Sequence, residues 1–216
     1  MPSEVKDAFS HYYRSNRPEL AKFVPEGIHR ALDVGCASGG FGSELKSHGI
    51  EVWGIEPNPA AAEEAISKLD KVIVGGFRVA EPHLPQGTFD LVCFNDVLEH
   101  IADCDQVLRS VVPLLSEGGH VLASLPNLRY WAALMTIFWQ GDFPYQDEGV
   151  FDRTHLRFFT HRSMRRMFEE CGYDIVKCEG INGLNSGKLP LANFLSRGKF
   201  WDSEFMQFAI LARPKR

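Results

Sequence analysis

The chain has 216 residues and a mass of 24.3 kDa, and its 23 Lys and Arg against 28 Asp and Glu give a formal charge of −5. This balance argues against a nucleic-acid-binding protein, and against a protein held to anionic membranes by bulk charge, because both need a strongly cationic face. Hydrophobic residues make up 44% of the chain and charged residues 24%, as in ordinary globular proteins. The length fits one domain, so we expect residues 1–216 to form a single domain.

The cysteines and the apolar runs indicate the compartment. No two cysteines form a C-x-x-C pair, so neither a zinc site nor a disulfide framework is indicated. The polar N-terminal sequence is not a signal peptide, and the longest apolar run, Trp131 to Trp139, is far shorter than the roughly 20 residues that a membrane span requires. We therefore expect a cytoplasmic protein without stable membrane insertion.

Short apolar runs alternate with helical patterns over the first two thirds of the chain, which is typical of βαβ units and a parallel sheet. The predicted strands in this part are, in chain order, Arg30–Val34, Glu51–Ile55, Lys71–Val74, Phe89–Phe94 and His120–Ser124. The predicted helices are Gly40–His48, Pro59–Leu69 and Asp103–Ser116. Pro113 should kink the last of these helices or end it early, because proline lacks the N–H that a helix interior needs.

The pattern changes after Ser124. Residues 126–160 are a long aromatic-rich insertion, interpreted as a substrate lid or as a buried helix. A helix over His161–Glu170 follows, and the late strands Tyr173–Cys178 and Phe205–Leu211 have no clear long helix between them, which suggests an antiparallel hairpin. The predicted fold class is α/β: a doubly wound, mostly parallel, seven-stranded Rossmann-like sheet with a terminal antiparallel strand.

A glycine-rich loop follows the first strand. Its glycines allow a sharp turn and a close approach of ligand to backbone, and Glu56 closes the second strand 21 residues beyond Gly35. A doubly wound sheet places there the carboxylate that accepts hydrogen bonds from a ribose diol. Asp33 would oppose a pyrophosphate and favour a cationic ligand, unless this carboxylate only ties down the turn.

These motifs resemble those of the class I S-adenosylmethionine-dependent methyltransferases. LDVGCASGGFG is similar to their first motif, with Ala37 in place of the usual glycine, and IEPNP, FDLVCFNDVLEHI and LLSEGGHVLASLPN are similar to later ones. YYRSNRPEL and FDRTHLRFFTHRSMRRMFEECGYDI resemble a subgroup found among methyltransferases of sugar, lipid and quinone biosynthesis. The resemblance extends from about Tyr12 to Ile175.

The resemblance implies S-adenosyl-L-methionine as the cofactor and a small-molecule, sugar or lipid-linked acceptor, methylated on oxygen rather than nitrogen. It implies a helical cover over about residues 1–27, in which Arg17 meets the cofactor's carboxylate. Gly75 and Gly76 stand where the family commonly has an acidic residue for the adenine amino group, so Phe77 could cover the adenine face instead. The expected cofactor-binding residues are Tyr13, Arg17, Asp33, Gly35, Cys36, Ala37, Gly39, Glu56, Pro57, Phe77, Asn95 and Asp96.

His100 and His155 are the candidate catalytic bases, because imidazole titrates near neutral pH. The alternative for His100 is packing under a helix that Asp96 and Glu99 cap. Asp96, Glu99 and His100 could also hold a divalent metal, but we assign no metal site.

Arg153 and Arg157 could bind an anionic acceptor, because guanidinium recognises phosphate and carboxylate in bidentate fashion. The alternative is that Asp152 pairs with an arginine and fixes the loop.

Two rival functions remain at this point. One is a nucleotide-cofactor oxidoreductase, which would leave Asp33 unexplained. The other is a non-catalytic protein that binds S-adenosylmethionine, which the departures at Ala37 and Gly76 could support.

Overall fold

A seven-stranded sheet forms the centre of the computed structural model, which describes residues 17–184 and 193–215. The strands are β1 Arg30–Val34, β2 Glu51–Glu56, β3 Lys71–Val74, β4 Phe89–Asn95, β5 Leu115–Pro126, β6 Tyr173–Gly183 and β7 Phe205–Pro214. Their order across the sheet is β3-β2-β1-β4-β5-β7-β6. Neighbouring strands are parallel except that β7 is antiparallel to both β5 and β6. The predicted fold class is confirmed.

Helices cover both faces of this sheet. They are α1 Pro18–Ala21, α2 Gly40–Ser47, α3 Pro59–Ile66, α4 Phe77–Ala80, α5 Cys104–Val111, α6 Trp131–Met135 and α7 His161–Glu170. Successive side chains of β4 point to opposite faces of the sheet and so contribute to two hydrophobic cores. Val92 and Phe94 pack with residues of α5 and α7 on one face. Leu91 and Cys93 pack with residues of α1 to α3 on the other. The two separate cores make the sheet doubly wound.

The antiparallel direction of β7 determines what reaches the site. β7 lies between β5 and β6, and Gln207 near its start pairs in register with Pro126 at the end of β5. The start of β7 therefore lies at the same edge of the sheet as the carboxyl ends of the parallel strands, where open α/β sheets bind their ligands.

The third predicted helix is shorter than expected. α5 ends at Val111, a single 3-10 turn follows over Val112–Leu114, and β5 begins at Leu115. The expectation that the helix reaches Ser116 is therefore wrong, because β5 takes up that residue. The expected effect of Pro113, an early end to the helix, is confirmed.

The insertion after β5 combines a packed side with an exposed one. α6 continues into a π-helical turn over Thr136–Gln140. Ala133 is buried against Phe151, while Phe138 and Trp139 are 72% and 75% exposed. The role of this insertion as a substrate lid stays a prediction.

Within residues 17–184 and 193–215, no helix has the length and apolar character to cross a membrane.

Candidate active site

The turn after β1 is built from left-handed backbone. Gly35, Ala37 and Gly39 have φ angles of 71°, 49° and 79°. The backbone N–H groups of Gly35 and Cys36 donate to the carbonyl of Ile55 at 2.8 and 3.0 Å, which ties the turn to β2. A Cβ on Gly35 would lie 2.5 Å from a methyl carbon of Val97, so glycine is required there. Ala37 carries its left-handed φ with a methyl group, at a cost of about 1–2 kcal/mol.

Glu56, the last residue of β2, faces this turn. Its side chain accepts hydrogen bonds from the backbone N–H of Ala37 at 2.9 Å and of Asn58 at 2.8 Å. Burial raises the pKa of Glu56, and these two hydrogen bonds oppose that rise. A carboxylate offers about four lone-pair sites, so Glu56 retains capacity for further donors such as a ribose diol. Pro57, which follows it, is exposed.

Asp33 is not presented to solvent, since only 2% of it is exposed. Burial, and then the charge of Glu56, raise the pKa of Asp33 to about 7. Cys36 and Cys93 are its buried neighbours, and burial, followed by the charge of Asp33, raises their pKa values. Asp33 would therefore act on a cationic ligand through the field of its charge, because its side chain has no open surface.

The structure corrects the expectation for Phe77. This side chain is 5% exposed and packs against Phe94, with ring centroids 6.2 Å apart, so it has no open face for an adenine. The exposed apolar side chains at this edge are those of Val74 and Val79, which are 49% and 62% exposed. The sequence analysis did not single out Val74 or Val79, because it assigned contact with the adenine to the aromatic side chain of Phe77.

Asn95 ends β4 beside the turn. Its Oδ1 and Nδ2 atoms are both buried and have no hydrogen-bond partner within the described parts of the chain. Buried amide groups are nearly always hydrogen-bonded in folded proteins. These atoms are therefore suited to a polar group of a ligand, as expected for a cofactor-binding residue.

A network of charged and polar side chains holds Asp96 in the left-handed region, at a φ of 56°. Its Oδ1 accepts hydrogen bonds from Ser124 Oγ at 2.9 Å and from Gln207 Nε2 at 2.8 Å, and its Oδ2 pairs with the Arg17 guanidinium. Gln207 comes from β7, 111 residues along the chain. No sequence motif pointed to Gln207, since only the sheet order brings it here.

Arg17 is fully engaged in this network. Besides Asp96, it donates to Glu19 at 2.5 Å and to Gln207 Oε1 at 3.1 Å. Burial would lower the pKa of Arg17, but the carboxylates of Asp96 and Glu19 raise it above its usual value. The expected contact of Arg17 with a cofactor carboxylate stays a prediction. Tyr13 lies outside the described residues.

The two candidate bases lie together. The imidazole rings of His100 and His155 have centroids 4.8 Å apart at an interplanar angle of 67°. His100 Nδ1 lies 3.1 Å from Thr154 Oγ1. The backbone N–H groups of Leu156 and Arg157 donate to the carbonyl of Glu99 at 2.8 and 3.0 Å, which brings the two segments side by side.

Burial sets the protonation of this group. Burial, followed by the charge of His100, lowers the pKa of His155, which favours the neutral imidazole that a base requires. Burial, followed by the charge of Asp96, raises the pKa of Glu99 well above its usual range. Within the described ranges, His155 Nδ1 and Glu99 Oε2 are buried without a hydrogen-bond partner.

The same side chains form a donor set. One ligand atom each from Glu99, His100 and His155 lies within 4.8 Å of the others. Imidazole nitrogen and carboxylate oxygen together suit several divalent metals. The set considered from the sequence, for which no metal site was assigned, contained Asp96, whereas the structure brings His155 to Glu99 and His100.

The side chains of Arg153 and Arg157 make contacts that stabilise the loop in which they lie. Arg153 pairs with Asp147 at 2.9 Å, and Arg157 donates to the carbonyl of Ala102 at 3.0 Å. The alternative of an Asp152–arginine pair is also not what the structure shows, since Asp152 Oδ1 accepts from Thr154 N and Oγ1 at 2.7 and 2.6 Å. The structural use of both arginines argues against their role in anion binding.

The fold and this site agree with a comparison to known families. Residues 6–178 match the family described as "Methyltransferase domain", and the chain belongs to it. The resemblance to class I S-adenosylmethionine-dependent methyltransferases is thereby confirmed, and the protein is an enzyme of the methyltransferase class. This result favours methyl transfer over the oxidoreductase alternative.

Individual relatives carry more particular names. The chain is 29% identical, over 184 residues, to a ubiquinone biosynthesis O-methyltransferase of Aeromonas salmonicida, a match that covers 82% of this chain and 74% of the relative. A protein of the same name from Aliivibrio fischeri is 28% identical over 192 residues, with 84% and 77% covered. Among solved structures, an Archaeoglobus fulgidus SAM-dependent methyltransferase aligns with a TM-score of 0.70 at 19% identity, covering 96% of this chain and 98% of that one.

Proposed function

We propose that this enzyme transfers a methyl group from S-adenosylmethionine to a hydroxyl group of a small phenolic or quinol-type acceptor. The name of the relatives that match over most of the chain, ubiquinone biosynthesis O-methyltransferase, supports oxygen as the acceptor atom. The observation that carries the proposal is the junction of Glu56 with the left-handed turn of Gly35–Gly39, beside the unpartnered amide of Asn95.

The residues of this junction fit an adenosine with an attached amino acid. Glu56 would accept hydrogen bonds from the ribose diol, as carboxylates at this position do in doubly wound sheets. The backbone of the turn permits close approach, and Asn95 offers a donor and an acceptor. Val74 and Val79 would contact the apolar faces of the base.

The cofactor, when bound, supplies a methyl group on a positively charged sulfur. The acceptor oxygen would take this methyl group while the electron pair of the carbon–sulfur bond stayed on sulfur, and the hydroxyl proton would go to a base on the protein. His155 or His100 would take that proton, with the neutral form of His155 favoured by burial. Alignment of the reacting atoms supplies about 7–11 kcal/mol in well-oriented systems, so most of the protein's work is positioning.

A product analysis tests the proposal. The purified protein is incubated with S-adenosylmethionine and separate acceptors, namely a catechol, a hydroquinone, a sugar and a primary amine, and the products are identified by mass spectrometry. We expect methylated oxygen on a phenolic acceptor. Methylation of the amine alone would contradict the proposal, and S-adenosylhomocysteine binding without any turnover would favour the non-catalytic alternative.

The cluster of Glu99, His100 and His155 also supports a second chemical role, as ligands of a divalent cation that orients the acceptor oxygen. Chelation separates the two roles. If the histidines act as bases, dialysis against EDTA leaves turnover unchanged. If they hold a cation, EDTA abolishes turnover and added Mg²⁺ or Zn²⁺ restores it.

A further inference from the structure

A groove runs between α7 and residues 197–202, separate from the candidate active site formed by the turn after β1, Glu56, Asn95 and the paired histidines, which is called the cleft below. It consists of two adjoining cavities of about 350 and about 460 Å³, which share Arg162, Trp201 and Asp202 as lining residues. Volumes of this size are those of small-molecule sites. None of the cofactor-binding or catalytic residues expected from the sequence lines either cavity.

The groove is strongly basic, although the chain as a whole carries a formal charge of −5. Half of its cations are neutralised locally by carboxylates. These pairs are Arg129 with Asp202 at 2.8 Å, Arg165 with Glu169 at 3.6 Å and Arg166 with Glu170 at 4.0 Å. The one acidic side chain shared by both cavities, Asp202, is thus already paired.

Three cations remain unpaired. The side chains of Arg162, Arg197 and Lys199 have no hydrogen-bond or ion-pair partner in the described portion of the chain. All three are exposed, and Arg162 lines both cavities. The described residues around the groove therefore leave these three positive charges without a neutralising carboxylate, and the groove favours binding of an anion.

Trp201 adds an apolar wall to this charge. It is 46% exposed and is held edge-on by His161 and Phe208, with ring centroids 4.8 and 6.0 Å away. An inorganic anion needs no such wall, whereas an organic ester presents both a charged group and an apolar or ring-shaped one.

We infer that this groove binds a phosphate or diphosphate ester. Guanidinium groups of Arg162 and Arg197 match phosphate oxygens in bidentate fashion, and Lys199 adds a point charge. The organic part of the ester contacts Trp201. A carboxylate ligand fits less well, since one carboxylate neutralises a single cation whereas a diphosphate neutralises several.

The groove opens at the edge of the sheet that also carries the cleft. Arg129 lies just beyond β5, and its backbone N–H donates to Asn127 Oδ1 at 3.0 Å. Asn127 in turn forms an isolated β-bridge with Phe159, next to the start of α7. A bound ester would therefore lie beside the transfer site without occupying it.

Calorimetric titration tests the site with three probes: inorganic diphosphate, uridine diphosphate and geranyl diphosphate, at low ionic strength because exposed charges are screened by salt. We expect at least one of the two esters, uridine diphosphate or geranyl diphosphate, to bind with a Kd below about 1 mM and more tightly than inorganic diphosphate, and Arg162→Ala to weaken that binding about tenfold or more. Arg213→Ala, an exposed arginine near the opposite end of β7, is the matched control and should change binding less than about twofold. Preference for uridine diphosphate indicates a nucleotide ester, and preference for geranyl diphosphate a lipid one.

Competition with S-adenosylhomocysteine completes the experiment. The groove and the cleft are separate, so saturation with S-adenosylhomocysteine should leave the affinity of the probe unchanged. The inference is overturned if neither ester binds more tightly than inorganic diphosphate, if Arg162→Ala and Arg213→Ala bind equally, or if S-adenosylhomocysteine displaces the probe. Because the probes are titrated without turnover, this result is independent of the proposed methyl transfer.

Discussion

Glu56 accepts a hydrogen bond from the backbone N–H of Ala37 at 2.9 Å, and this contact joins the end of one strand to the turn that follows its neighbour. The two groups are 19 residues apart in the chain. Glu56 is the only buried charged residue of β2, and this contact holds its side chain against the glycine-rich turn. The cofactor predictions depend on this pair.

Replacement of Glu56 should weaken cofactor binding while leaving the fold intact. Hydrogen bonds to charged groups contribute about 1.5–3 kcal/mol, so Glu56→Gln should lower affinity for S-adenosylhomocysteine about tenfold and Glu56→Ala more strongly. Isothermal titration calorimetry measures this. Glu51→Gln, at the partly exposed start of the same strand, where Glu51 pairs with Arg30, is the control; equal affinities in the Glu56 and Glu51 variants would contradict the assignment.

Replacement of the paired histidines should lower turnover but not cofactor binding. General-base assistance contributes about 10²–10⁴-fold, so we expect losses of that order in kcat for the variant that removes the base, His100→Ala or His155→Ala. His83→Ala, in an exposed turn, is the control. If neither variant loses more than the control, the pair has no catalytic role.

The pH profile should show which histidine form is active. Burial and the charge of His100 lower the pKa of His155, so its neutral form persists to lower pH than for an ordinary histidine. A base is active when neutral, and kcat should therefore hold as the pH falls to about 6.5 and decline only below it. An acidic limb with its midpoint clearly above this value would contradict a role for His155.

Gly35→Ala should destabilise the protein more than an alanine at an unconfined glycine. The new Cβ would adopt a φ of 71° and lie 2.5 Å from Val97 Cγ2, whereas at Gly27 the φ is 78° and nothing lies within 4 Å. Backbone strain costs about 1–2 kcal/mol at either site, and overpacking adds about 1–3 kcal/mol at Gly35. Urea unfolding measures the difference, and Gly35→Ala combined with Val97→Ala should recover part of it.

Asp33 should make stability fall as the pH rises. Its pKa in the folded protein is raised to about 7 by burial and by Glu56, above the unfolded value of 3.8. The folded state thus holds its proton more tightly, and the associated stability is present below pH 3.8 and is lost as the pH rises through about 7. Relative to wild type, Asp33→Asn should therefore gain stability as the pH rises from about 4 to about 7, as measured by urea unfolding. A difference that is constant over this range would rule out the raised pKa.

Local patterns predicted the parallel part of the fold well. The predicted bounds of β1, β3 and α7 agree with those in the structure. Short apolar runs, turn glycines and a helix cap such as Thr160 are signals that act between residues close in the sequence. The length of β5 was underestimated, since its first residues include Gly118 and Gly119 and pair with Phe89 through an irregular register.

Features assembled from distant segments were missed. Gln207 carries no motif, and neither do Arg197 and Lys199 of the basic groove, which reach this edge of the sheet because β7 runs against its neighbours. The error at Phe77 has a related cause, since sequence cannot tell whether an aromatic ring faces the core or the ligand.

The position of β7 has a consequence for synthesis. This strand enters between β5 and β6, so until it emerges from the ribosome both of those strands have an open edge, and Asp96 lacks one of its hydrogen-bond donors. Long-range pairing of this kind slows folding. A chain that stops before Phe205 would therefore leave one edge of β5 and both edges of β6 unpaired, and unpaired strand edges are sites where other chains can pair.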